Sequence, residues 1–315
     1  MGNVGSMLDR RKGTGLNMNA PHIIAHRRPA ARSAVFLSPV IPALVIAAFC
    51  YVTPGLAGEV VEDVIIFSDV SEELDDAPGF DTEPGKKDWK FSLGAVVGVK
   101  PDYEGSDDYE FTWAPDLKIS RRNTIVLRGK SLRVVYRWNK LKAGALIEAE
   151  GGRDEDDNNA LRGLGDVDSG AAAGAFLDYE IIKNITLKSK FRQELAGGHG
   201  GALFDLGAEA KLPVGAPWFK AYFGATYASD DYTKEFFGVN AKQSASSGIP
   251  QYNTNGGVKN ITFSLASGYD ITESWVIGAT LIYSRLVGDV ADSPIVDSRG
   301  SKDQFTAGAG LSYQF

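Results

Sequence analysis

From Trp89 to the end of the chain, apolar and aromatic side chains recur at every second position, with small, polar or charged residues between them. In 89–99 one parity holds Trp89, Phe91, Leu93, Ala95, Val97 and Val99, and the other holds Lys90, Ser92, Gly94, Val96 and Gly98. An extended chain turns successive side chains to opposite faces, so each such segment is a strand with one apolar and one polar face. The pattern returns as Ile185, Leu187, Phe191 and Leu195 against Thr186, Lys188, Lys190, Arg192 and Glu194. It returns again as Phe219, Ala221, Phe223, Ala225 and Tyr227 against Lys220, Tyr222, Gly224 and Thr226. One such strand fits a soluble amphipathic sheet. Repetition with aromatic residues at the segment ends points instead to a transmembrane antiparallel β-barrel whose apolar face meets outer-membrane lipid.

The last segment carries Phe305, Ala307, Ala309, Leu311, Tyr313 and Phe315 on one parity and Thr306, Gly308, Gly310, Ser312 and Gln314 on the other. A terminal aromatic closing an alternating strand resembles the signal read by barrel assembly machinery, so Phe305, Leu311, Tyr313 and Phe315 are the candidate assembly residues. The pattern predicts twelve strands: 89–100, 112–120, 123–129, 131–138, 141–150, 169–180, 185–195, 202–213, 218–228, 260–270, 275–286 and 303–315. The number is even, as a single-chain bacterial barrel requires. Short turns such as Asn139-Lys140 fall at one end, and the long connections 101–111, 151–168, 229–259 and 287–302 at the other. Bacterial barrels keep short turns on the periplasmic side, so the long loops are expected to face outward. The count turns on 123–138, where Gly129-Lys130 must close a tight hairpin; otherwise the barrel has ten strands.

The segment before the barrel changes character twice. Residues 1–57 carry Arg10, Arg11, Lys12, Arg27, Arg28 and Arg32 against Asp9 alone, then an apolar run from Ala34 to Val52 and small Gly55 and Ala57. This is the layout of a secretory signal peptide cleaved after Ala57. Pro39 and Pro42 interrupt the apolar run and argue against a stable anchor helix. Residues 58–88 hold eleven acids with scattered Pro and Gly and read as an acidic periplasmic linker. Removal of 1–57 leaves 27 basic against 39 acidic residues, a balance that excludes a nucleic-acid partner.

Composition adds mainly exclusions. The single cysteine, Cys50, rules out a disulfide framework and thiolate zinc sites, and beyond residue 57 the only histidine is His199. His199 sits in Gly197-Gly198-His199-Gly200-Gly201 without a neighbouring serine, so no hydrolase constellation is visible and no cofactor is expected. The run Arg153-Asp154-Glu155-Asp156-Asp157-Asn158 lacks calcium-loop spacing and reads as a solvated charge run. Inward positions mix both signs, among them Lys188, Lys190, Arg192, Glu148, Asp178, Asp205 and Glu209. Opposed charges across a modest lumen pair into a structural lattice, with a selective channel as the other reading.

Several spaced motifs occur in order along 89–315. They are Pro101-Asp102-Tyr103-Glu104-Gly105-Ser106-Asp107-Asp108-Tyr109; Gly152-Arg153-Asp154-Glu155-Asp156-Asp157 with Leu161-Arg162-Gly163-Leu164-Gly165; Phe237-Gly238-Val239 with Ser246 to Pro250; and Tyr283 to Asp289 leading to Ala291-Asp292-Ser293-Pro294-Ile295-Val296. Together they resemble the MipA/OmpV family of outer-membrane proteins. The resemblance implies a non-enzymatic scaffold that binds a lytic transglycosylase and a murein synthase; other members are described as antigens, adhesins or permeability factors. The family offers no agreed catalytic residues, so the motif positions Tyr103, Gly105, Ser106, Arg153, Asp154, Asp156, Gly288, Asp289, Asp292, Ser293 and Pro294 stand as candidate loop determinants. The acidic leader departs from the family pattern. The expectation is an outer-membrane scaffold for peptidoglycan-remodelling enzymes, with a narrow solute channel and a surface adhesin as alternatives.

Overall fold

The computed structural model describes residues 89–315 apart from 213 and 216; the signal-peptide and linker readings of 1–57 and 58–88 lie outside the described residues. Within them the chain forms a closed antiparallel barrel of twelve strands, each hydrogen-bonded to its sequence neighbours, with the last strand returning to the first. The strands are β1 (Trp89–Pro101), β2 (Tyr109–Arg121), β3 (Ile125–Arg128), β4 (Ser131–Trp138), β5 (Leu141–Glu150) and β6 (Gly170–Ile182). They continue as β7 (Ile185–Ala196), β8 (Ala202–Leu212), β9 (Trp218–Ala228), β10 (Gly257–Asp270), β11 (Trp275–Leu286) and β12 (Asp303–Gln314). The ten-strand alternative is therefore excluded: Gly129-Lys130 closes a hairpin in which Arg128 pairs with Ser131 and Ile125 with Val134. Gly129 takes φ +50°, the left-handed conformation such a turn needs.

The parity of the sequence is the parity of the wall. Trp113 (64 % exposed), Leu281 (59 %) and Phe305 (55 %) stand on the outside, while Arg192, Glu194, Glu209 and Lys220 on the other parity are buried in the interior. Closure follows from the last strand. Val99 pairs with Ala307 and Ser92 with Gln314, and the Phe315 N–H donates to the Phe91 carbonyl at 3.0 Å. Trp275, Tyr313 and Phe315 pack edge to face at 5.1 and 4.9 Å between centroids, an aromatic seam at the short-turn end.

β2 lacks a strand partner along most of one side. β2 is partnered by β3 only over Lys118–Arg121, although it pairs with β1 along its whole length. The Gly129 N–H donates to the Leu117 carbonyl, so Leu117 and every second residue above it direct their backbone groups to the β3 side. Pro115, which has no N–H to offer, falls on that uncovered edge, the place where a strand tolerates proline. β2 also starts at Tyr109, which shortens the expected first loop from 101–111 to 102–108.

Turns of two to five residues join the strands at one end. At the other end, connections at 102–108, 151–169, 197–201, 229–256 and 287–302 gather over the mouth. The loop 229–256 contains two helices that the alternation pattern gave no sign of, α1 (Asp230–Phe237) and α2 (Ala241–Ser247). Ser229 caps α1, and Asn240 with Gln243 forms a capping box on α2, so each start is locally encoded. Two short turns, α3 (Gly288–Ala291) and α4 (Pro294–Asp297), fold the loop 287–302.

Candidate functional site

The long-loop end is a folded cap with an apolar interior of its own. Tyr103, Leu161, Leu164, Val239, Ile249 and Ile295, from four different loops, form one buried cluster. A second cluster joins Tyr232, Phe237, Val290, Ala291 and Val296 of the loops to Leu203, Ala228 and Leu286 at the strand ends. Burial of this many large side chains, at about 25 cal/mol per Å² of apolar surface, makes the cap a structured unit rather than a set of independent loops.

Polar bonds tie the same loops together. Asn158 donates from Nδ2 to the carboxylates of Asp102 and Asp108 at 2.9 and 3.1 Å, joining the second long loop to the first. Arg299 donates to the carbonyls of Ala160 and Ser247 at 3.0 and 2.9 Å, and Gln243 to the carbonyl of Leu164 at 2.6 Å. The Tyr252 hydroxyl donates to the Asp289 carbonyl at 2.8 Å, and the Asp289 carboxylate accepts from both the backbone and the side chain of Asn255.

The motif residues chosen from the sequence mostly meet here. Tyr103 is buried, its hydroxyl donating to the Arg299 carbonyl at 3.3 Å, and burial followed by the charge of Asp107 pushes its pKa up to about 12. Gly105 has φ +103° and donates its N–H to Gln304 Oε1 at 3.1 Å; a Cβ there would lie 2.8 Å from Val296 Cγ2. Ser106 is fully buried beside it and accepts the Asp108 N–H. Ser293 donates to the Phe237 carbonyl at 2.7 Å and accepts the Ile295 N–H, with Pro294 in the first turn of α4. Gly288 turns the chain at φ +60°, and Asp292 accepts from Lys302 at 3.4 Å.

The run 153–158 is divided. Arg153 is buried and donates to the Phe236 carbonyl, and the Glu155 carboxylate accepts the N–H groups of Gly163 and Gly165 at 2.8 and 2.9 Å. Asp154 and Asp156 stay exposed, Asp154 turning back to accept the Asp156 N–H. The solvated-run reading therefore holds for Asp154 and Asp156 and fails for Arg153, Glu155 and Asn158, because the loop folds back on its glycines and onto the first loop.

Three features had no usable signal in the sequence. Glu104 reaches across the mouth to pair with Lys259 and accepts the Tyr232 hydroxyl at 3.3 Å. Arg299 pins three loops through contacts 52 and 139 residues away in sequence. His199 is buried beneath the cap, with Nδ1 accepting the Gly201 N–H at 2.9 Å and lying 3.3 Å from Glu194 Oε2, and with Nε2 3.6 Å from Glu150 Oε2. Its ring meets Phe236 and Tyr232 edge on at 5.4 and 5.7 Å. Among the described residues no group of three or more His, Cys, Asp or Glu side chains is arranged to hold a metal ion.

Below the cap, ion pairs line the lumen on one side. Arg192 spans Glu148 and Asp205 at 3.3 and 3.1 Å, Lys190 reaches Glu148 at 3.6 Å, Lys188 pairs with Glu209 at 3.2 Å and Arg128 with Asp116 at 2.9 Å. These pairs join β2 to β3 and tie β5, β7 and β8 from within, the lattice expected from the mixed signs. The facing wall, β10 to β12, carries Asn260, Thr262, Ser264, Ser284 and Thr306 beside Lys259, Ile282 and Leu286, and between the two lies a cavity of about 390 Å³.

Residues 93–315 match the family described as MltA-interacting protein MipA. The outer membrane protein Omp26La of Vibrio anguillarum is 28 % identical over 163 residues, covering 51 % of this chain and 61 % of its own length. The chain thus spans less than two thirds of that relative. The MltA-interacting protein of Escherichia coli (strain K12) is 28 % identical over 236 residues, covering 72 % of this chain and 90 % of its own. Among solved structures, the COG4313 outer membrane channel from Pseudomonas putida F1 is similar with a TM-score of 0.39 at 13 % identity, covering 76 % of this chain and 99 % of that one.

Proposed function

Because the chain belongs to the MltA-interacting protein MipA family, we propose that this outer-membrane barrel is a non-enzymatic scaffold holding a murein-remodelling enzyme at its periplasmic face. The observation that carries the reading is the folded cap. Loops with a common apolar interior lie over one end of the barrel, and a lattice of ion pairs fills part of the lumen beneath. Such a barrel is built for a fixed shape more than for free passage. The name of the Escherichia coli relative supports a murein enzyme as the partner. Long loops face outward in bacterial barrels, which puts the cap outside and the short turns, with Phe315 beside them, in the periplasm. Phe305 and Leu311 of β12, with half-buried Tyr313 and the following Phe315, present the apolar ridge that barrel assembly machinery would read.

The test is retention. Full-length protein in detergent, immobilised through an outward loop, retains a purified lytic transglycosylase or murein synthase at physiological salt if the reading is right. Passage of both enzymes through the column at every detergent tried overturns it. The channel reading is the second, favoured by the lumenal cavity; the adhesin reading rests on the outward loops 151–169 and 229–256 and is tested by exchanging them.

A further inference from the structure

The cavity in the lumen has two unlike walls, and the contrast defines what fits between them. On one side Arg133, Lys188, Lys190, Arg192 and Lys220 face it from β4, β7 and β9. Eight basic and five acidic residues line the cavity in all. Lysine and arginine therefore outnumber aspartate and glutamate on the lining, with Arg192 paired to Glu148 and Asp205, Lys190 to Glu148 and Lys188 to Glu209.

The opposite wall is short and hydroxylic. Asn260 donates from Nδ2 to Ser284 Oγ at 3.0 Å, and Thr262 Oγ1 lies 3.0 Å from the same oxygen. The other end of the Asn260 amide, Oδ1, is buried and has no hydrogen-bond partner. A buried polar atom left unpaired is costly, and a ligand hydroxyl, as donor or acceptor, satisfies the amide in either orientation. The hydroxyls of this wall stand beside Ile282, Leu286 and Gln304, and the cavity is within the size range of pockets for small molecules.

We propose that the lumen holds a binding site for a small hydroxylated organic anion, with its carboxylate toward Arg133, Lys190 and Lys220 and a hydroxyl on Asn260 of β10. This is independent of the scaffold reading. It requires no partner protein, and it takes solute entry to be from the short-turn end.

The probes are D-glucuronate, D-glucose and sulfate, titrated by calorimetry into the full-length protein in detergent at low ionic strength. Glucuronate is expected to bind saturably, at least tenfold more tightly than glucose, and to weaken as salt rises. Equal binding of glucose and glucuronate overturns the cationic half of the proposal. Sulfate binding as tight as glucuronate overturns the hydroxyl half, and absence of heat with glucuronate at millimolar concentration overturns both. Two variants localise the site. Asn260→Ala is expected to lower glucuronate affinity about fivefold without changing sulfate binding, and Lys220→Gln to lower both. Each is first checked for unaltered heat-modifiable migration in gels, and a folded variant with unchanged affinity removes its residue from the site.

Discussion

Tyr103 and Gly105 show how single positions hold the cap. The Tyr103 phenol is neutral in the folded chain up to about pH 12, where an unfolded tyrosine ionises near pH 10. A raised folded pKa contributes stability that is fully present below pH 10 and is lost as pH climbs toward 12. Proteolysis of the outward loops is therefore expected to accelerate between pH 10 and 12 while the barrel stays intact. Tyr103→Phe removes this pH dependence and forfeits the bond to the Arg299 carbonyl, a loss of about 1 kcal/mol at neutral pH. At Gly105 a side chain meets both a positive φ and Val296. Gly105→Ala should loosen the cap by about 1–3 kcal/mol, measured as a protease-sensitive 287–302 loop on a barrel that still migrates as folded. A resistant loop in that variant would show that the contact is not needed.

At the scale of elements, the strands were legible because two solvents act on opposite faces of every one of them. Lipid takes Phe91, Leu281 and Phe305, the polar interior takes Arg192, Glu209 and Lys220, and a slip of one residue would exchange the two sets. Leu281→Lys places a cation on the lipid face of β11 and is expected to cost roughly 2–4 kcal/mol in urea unfolding from lipid vesicles. A cost below about 1 kcal/mol would place that face elsewhere. The helices were not legible. α1 and α2 are only eight and seven residues long, and their caps, Ser229 and Asn240, look like any loop polar residue until the turn is seen. The same holds for contacts made across the mouth. Nothing local to Glu104 points to Lys259, because the pair is 155 residues apart and is brought together only by closure of the ring. The charge run at 153–158 misled for a related reason, since the partners of Glu155 are backbone N–H groups, which composition cannot reveal.

For the whole molecule, cap and lumen make one joint prediction about current. On the scaffold reading the cap obstructs the long-loop end, so the complete protein in a planar bilayer should give no discrete conductance steps. Replacing 230–255 by a short glycine-serine turn removes α1 and α2, and with them Tyr232 and Phe237 from one apolar cluster and Val239 and Ile249 from the other. The ring of strands does not depend on that loop, because β9 and β10 remain paired from Trp218 with Gly268 up to Gly257 with Ala228. Steps should then appear, and with a cationic lining beneath the opened mouth the reversal potential in a salt gradient should report anions as the preferred carrier. Steady steps from the intact protein would sink the scaffold reading in favour of the channel. A silent loop-deleted barrel would place the obstruction in the ion-pair lattice around Arg192 instead of in the cap.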